Sequence, residues 1–231
     1  NLLDLLPGGV IVIDGQGIVG EANPAACELL GLPLQGELWR HVIARCFAPR
    51  EDDGHEISLK DGRRLSLARW GMPTPPQFLE GKRSDPGVTN IRNTASPHWR
   101  RWLGVEHRCL VPFTSFCEID TRPDAPRNHP IWFALGPDRP LACFAGLWTE
   151  WTSVRKVKDG EVTVPCFAFL TCDPNREVGR IHPKAMPVIL TRPEEWAQWL
   201  TAPIPRALEL QRPLPDGELD IVAEGARADG P

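Results

Sequence analysis

The chain has 231 residues, 42% of them hydrophobic and 24% charged, with a formal net charge of −4. This balance excludes a disordered, fibrous or collagen-like chain. No apolar run reaches the length of a membrane helix and no signal peptide is evident, so the expectation is a cytoplasmic protein with no membrane partner.

The 25 prolines and 20 glycines predict many loops and short helices. The 7 cysteines show neither CxxC pairs nor zinc spacing, which suggests reduced thiols and no metal site. Cys109, Cys143 and Cys166 lie in apolar runs, where core packing is their default role. Charge is uneven. Residues 1–67 carry six basic and ten acidic side chains, whereas residues 68–231 carry twenty of each.

In chain order, Gly9 to Asp14 reads as a short buried strand, Gly15-Gln16-Gly17 as a turn, and Ile18 to Ala22 as a second strand. Asn23 caps a predicted helix with Pro24 at its first position, and Gly31 stops it. Residues 37–45 read as another helix. Residues 55–67 read as a β-hairpin turning at Asp61-Gly62. This opening resembles a PAS sensor domain, most like those of bacterial sensor kinases. The resemblance ends near residue 67, before the last strands of such a domain.

At Ala68 the pattern changes to the proline-rich Arg69-Trp70-Gly71-Met72-Pro73. Further on come Thr89-Asn90-Ile91-Arg92-Asn93-Thr94, the run from His107 through Phe113 to Glu118, and Ala145-Gly146-Leu147-Trp148. Then follows Gly179-Arg180-Ile181-His182-Pro183-Lys184-Ala185-Met186-Pro187, leading into Val188-Ile189-Leu190. Pro183 and Pro187 bias His182 and Met186 away from helix, so the imidazole is expected on a stiff loop at a strand mouth. Together these blocks, over residues 69–229, resemble the SOS response-associated peptidase (SRAP) family of abasic-site DNA–protein crosslinking proteins. The segment 61–68 suits both patterns, so the junction falls within 58–69.

The resemblance implies chemistry at single-stranded DNA containing an abasic site, with association with the nucleoid when bound. Family members use an N-terminal cysteine, whose amine forms a Schiff base with the sugar aldehyde and whose thiol closes a thiazolidine. Glu118 matches the glutamate that moves protons around the imine. His182 matches the histidine that stabilises or protonates the sugar oxygen. Asn90 matches the asparagine that holds nucleophile or sugar, and Arg92 the arginine that grips a phosphate. No cofactor is implied.

Residues 82–108 also interleave basic groups with Trp99 and Trp102. Arg100 and Arg101 could neutralise phosphates while the indoles stack on bases. Alternatively the two indoles pack a helix into the core and the arginines stay solvated. Trp70 is a base-stacking platform or a core anchor, and Trp148 is expected in the core.

The chain begins Asn1-Leu2-Leu3, with the PAS-like fragment where the family has its cysteine. Stable crosslinking is therefore expected to be lost. Cys27 and Cys46 have amide nitrogens and cannot close a thiazolidine, while Lys82 and Lys184 are candidates for a transient imine. The expected fold is α+β: a truncated PAS-like α/β half-sheet, then a mostly antiparallel β core with short helices. Residues 193–200 are the clearest late helix, with Thr191 as cap and Glu194 at the capping-box position. Residues 212–231 read as a tail. Three functions stand open: an abasic-site processing protein, a non-catalytic single-strand DNA-binding module, and a PAS-type sensory protein.

Overall fold

The structure, a computed structural model, describes residues 11–13, 18–22, 26–27, 34–36, 57–58 and 64–228. It divides into two compact units, residues 1–67 and 68–231. In the first, β1 (Ile11–Ile13) pairs antiparallel with β2 (Val19–Ala22). Here β3 (Ile57–Ser58) pairs with β4 (Arg64–Leu65), the register expected of the predicted hairpin. Of the two early predicted helices only Ala26 and Cys27 are described, and both are helical. The remainder, including Cys46 and the turn at Asp61-Gly62, lies outside the described residues.

The second unit is a mostly antiparallel β structure with short helices, so the α+β expectation holds. Its strands are β5 (Arg69–Trp70), β6 (Asn90–Ile91), β7 (Arg108–Phe113), β8 (Phe116–Ile119), β9 (Pro130–Ala134), β10 (Ala142–Val154) and β11 (Glu161–Cys172). They are followed by β12 (Met186–Pro187), β13 (Ile189–Leu190) and β14 (Asp220–Glu224). The helices are α1 (Arg176–Gly179), α2 (Pro193–Thr201) and α3 (Ile204–Leu208).

β10 and β11 form a long hairpin, rich in the β-branched and aromatic residues that fit a pleated surface. Its first half, Ala142 to Leu147, is buried at every position, because it is covered on both faces. On one side α2 supplies Trp199, whose Nε1 donates to the carbonyls of Cys109 (3.0 Å) and Gly146 (3.2 Å). Another face carries a phenylalanine cluster: Phe113 stacks on Phe144 at 4.0 Å, and Phe116 stacks on Phe133 at 5.5 Å. Truncating one such aromatic would cost about 3–5 kcal/mol.

The proline-rich entry to this unit is tied down by Asp85. Its carboxylate accepts from the Thr74 hydroxyl, from the Thr74 N–H and from the Gly87 N–H (2.8 Å), while the buried Arg155 guanidinium lies beside it. Burial raises its pKa, but these hydrogen bonds and the cation outweigh that and hold it below the usual carboxylate range.

Two expectations are corrected. The residues after 212 are not a free tail: Leu214 and Leu219 are buried, and β14 pairs antiparallel with β9 in a three-stranded sheet with β8. Pairing with β14 satisfies backbone donors and acceptors along an edge of β9 that would otherwise lie open. The N-terminus of α2 is also built differently. Arg192, not Thr191, is the cap residue, and Glu195, not Glu194, reaches back to the Thr191 N–H at 3.0 Å. Glu195 is buried and also pairs with Arg192 and Arg212.

Candidate functional site

β10 and β11 are hydrogen-bonded from Gly146↔Phe169 outward and then diverge. Residues 186–190 enter the fork. Met186 and Pro187 pair with Cys172 and Thr171 of β11, while Ile189 and Leu190 pair with Phe144 and Cys143 of β10. Between them Val188 donates to the Leu170 carbonyl at 2.8 Å and accepts from the Ala145 N–H at 3.1 Å. All five residues are buried, which explains the uninterrupted apolar run. The wedge anchors the loop ahead of it, and that loop carries His182.

His182 donates its backbone N–H to the Val178 carbonyl at 2.7 Å, at the end of α1. Its Nδ1 is buried without a hydrogen-bond partner, as is Oε2 of Glu177. Glu118 lies on β8, two residues beyond Phe116, so strand alternation puts it on the face of the phenyl cluster. Burial there pushes its carboxyl up to about 7. The segments bearing Glu118 and His182 are joined: Thr121 donates both its N–H (3.0 Å) and its hydroxyl (2.9 Å) to the Ile181 carbonyl.

Asn90 and Arg92 reach the fork from another strand. β6 runs parallel to β11, with Asn90 opposite Phe169 and Ile91 opposite Leu170. Asn90 is exposed. Arg92 is exposed and forms an ion pair with Asp173 just past the end of β11. Trp70, on the neighbouring parallel strand β5, is 50% exposed. Its indole stacks on Phe169 at 5.3 Å and donates Nε1 to the Thr89 carbonyl at 2.9 Å. From Phe169 a chain of rings continues to Phe144 (4.8 Å) and on to Phe116 (5.8 Å), on Glu118's strand. Among the described residues, no hydrogen bond joins the side chains of Asn90, Glu118 and His182 to one another.

The stretch around residue 100 resolves its two alternatives. Trp99 and Trp102 are only 6% and 3% exposed, in an aromatic cluster with His98 and Trp151. They pack inward and are not base-stacking surfaces. Arg100 and Arg101 stay exposed, with the Arg101 guanidinium 4.4 Å above the Trp102 ring. Trp148 is partly buried on β10, and its carbonyl meets His107 Nδ1 at 3.1 Å.

Thr121, Asp173 and Gln211 were not singled out by motif. Gln211 Nε2 donates to the carbonyls of Arg92 (2.8 Å) and Thr171 (3.0 Å), and Oε1 accepts from the Thr94 hydroxyl (3.0 Å). These partners are distant in sequence, so no local pattern signals them. Among the described residues, no group of His, Cys, Asp and Glu could hold a metal ion, and no helix is long and apolar enough to cross a membrane.

Comparison with known proteins matches these two parts to two families. The PAS domain model matches residues 1–63, and that of SOS response associated peptidase (SRAP) matches residues 41–223. The SRAP match thus begins ahead of residue 69, where its motifs become legible. The sensor protein kinase FleS of Pseudomonas aeruginosa is 81% identical over 79 residues, which are 34% of this chain and 20% of FleS. The chain therefore spans about a fifth of that relative's length. An X-ray crystal structure of a protein from Bacteroides thetaiotaomicron is similar over 68% of this chain and 67% of that one, with a TM-score of 0.50 and 23% identity, a likeness of fold. Since its model covers residues 41–223, well over half of the sequence, the chain belongs to the SOS response associated peptidase family.

Proposed function

We propose that residues 68–231 act on single-stranded DNA at abasic sites, as the SRAP motifs imply. The observation that carries this is a half-buried carboxyl pushed up to about 7, Glu118, on a segment that Thr121 fastens to the Ile181 carbonyl, next in the chain to His182. A carboxyl with that pKa can both give and accept a proton near neutral pH, as imine formation and breakdown require. His182 serves the opened sugar oxygen, and Asn90 holds the sugar or the attacking group. Arg92, Arg100 and Arg101 meet phosphates, and Trp70 offers its fixed indole to a base.

No cysteine of this unit is a suitable nucleophile. Each has an amide nitrogen rather than a free amine, and burial pushes Cys109 up to about 12 and Cys172 up to about 11. A crosslink therefore needs an aminothiol from outside residues 68–231.

The test is to incubate residues 1–231 with a single-stranded abasic oligonucleotide and heat before a denaturing gel. The expected result is salt-sensitive binding without a heat-stable band. Grafting the Met-Cys N-terminal portion of a family member ahead of Arg69 is expected to produce the band. A graft that folds and binds but never crosslinks would overturn the reading, and so would binding that ignores salt.

For residues 1–63, the identity with part of FleS favours a second, separate reading as a PAS-type sensory element. A small molecule retained by the purified chain and lost on deleting those residues would support it.

A further inference from the structure

β6 and β11 run parallel, so Arg92 and Asp173, each just past the end of its strand, emerge at the same end of the sheet. Gln211 ties the two ends together through the carbonyls of Arg92 and Thr171. Pro174 biases Asp173 toward extended backbone. The result is an ion pair whose carboxylate is 84% exposed and whose guanidinium is 45% exposed. An exposed pair of this kind is easily displaced. Its acceptor, two oxygens of one anionic group, is the type of partner that a guanidinium also finds in a phosphate.

We infer that Asp173 is a built-in competitor for the DNA phosphate at Arg92, occupying the guanidinium in the free protein and released when the strand binds. The inference rests on the reading of Arg92 as a phosphate contact. It makes Asp173 a regulator of how strongly the module holds single strands, rather than a group that touches the reacting atoms.

The consequence is visible in the salt dependence. A free cation that neutralises a single-strand phosphate releases close to one counterion, steepening the salt slope by about 0.7. At Arg92 the phosphate must displace Asp173, whose carboxylate then stands unpaired beside the strand and repels it. Both the broken pair and this repulsion oppose binding most at low salt, where screening is weakest, so the contact adds less to the salt slope while Asp173 is present.

The experiment titrates the full chain against a fluorescein-labelled single-stranded oligonucleotide, from about 50 to 300 mM salt. Asp173→Asn is expected to tighten binding roughly three- to tenfold at the lowest salt and to steepen the slope of log affinity against log salt by up to about 0.7, the increment of one single-strand phosphate. Glu161→Gln, which removes an exposed charge at the far end of β11, is expected to change affinity less than about twofold. In an Arg92→Ala background, Asp173→Asn is expected to lose its effect. Equal tightening in that background, or from Glu161→Gln, would make the effect general charge and overturn the inference. Binding by the parent chain with Asp173→Asn unchanged would overturn the inference alone. No binding by the parent chain at low salt would overturn the proposed function and the inference with it. Because Asp173 is a solvated surface residue, the variant is expected to fold, and a thermal melt on each protein verifies this.

Discussion

Thr121 and Ile181, 60 positions apart, are joined twice: the backbone N–H and the hydroxyl of Thr121 both reach the Ile181 carbonyl, at 3.0 and 2.9 Å. One residue further on is His182, and three residues before Thr121 is Glu118. Thr121→Val keeps the shape and the N–H but loses the hydroxyl. It is expected to cost about 1 kcal/mol of stability. In the protein grafted with a Met-Cys start it is expected to slow crosslinking while leaving oligonucleotide affinity within about twofold. Denaturant unfolding and a crosslinking time course check the two effects. A loss of affinity with an unchanged rate would refute the positioning role.

Glu118 links stability to pH in a direction that can be worked out. Its carboxyl titrates near 7 in the folded protein against an ordinary value of 4.5. Below pH 4.5 both states hold the proton, and burial carries no ionic cost. Between 4.5 and 7 the unfolded chain ionises first, so stability falls as pH rises. Above 7 the cost is constant. Glu118→Gln is therefore expected to leave stability unchanged at about pH 4 and to raise it by on the order of 3 kcal/mol at pH 8. In the grafted protein, the rate of crosslinking is expected to inflect near pH 7, and Glu118→Gln is expected to remove that inflection.

Trp70 tests the platform apart from the chemistry. It is half exposed, and its ring is fixed by Phe169 and the Thr89 carbonyl. Trp70→Ala is expected to weaken single-strand binding by about 1–3 kcal/mol, whereas Trp70→Phe retains most of the stacking surface. Fluorescence anisotropy on the full chain measures both. Equal affinity for all three proteins would remove Trp70 from the binding surface.

Gly87 tests how the entry segment is held. It has φ +84°, and a Cβ there would lie 2.8 Å from the Gly71 Cα and 2.6 Å from the buried Arg155 guanidinium. Neither the backbone nor the fixed cation can move away cheaply. Gly87→Ala is expected to destabilise residues 68–231 by roughly 2–4 kcal/mol, seen as a lower midpoint in chemical unfolding. A midpoint equal to that of the parent would show that the close approach of Gly71 and Gly87 is not needed.

Local chemistry in the sequence determined the short-range elements and the identity of the motif residues. The hairpin pairing of Ile57 with Leu65, the start of a late helix at Pro193, and the apolar run after Met186 each follow from residues within a few positions of one another. Tertiary structure decided what depends on distant partners. It turned Trp99 and Trp102 inward, made Asp220–Glu224 a strand on β9, and gave α2 its brace through Glu195 and Arg212, 17 residues on. It also placed Asp173 on Arg92, 81 residues away, and buried the carboxyl of Glu118. The physical reason is the range of each force. Backbone preference and periodicity act along a few residues, whereas burial, desolvation and ion pairing depend on which surfaces the whole fold presses together.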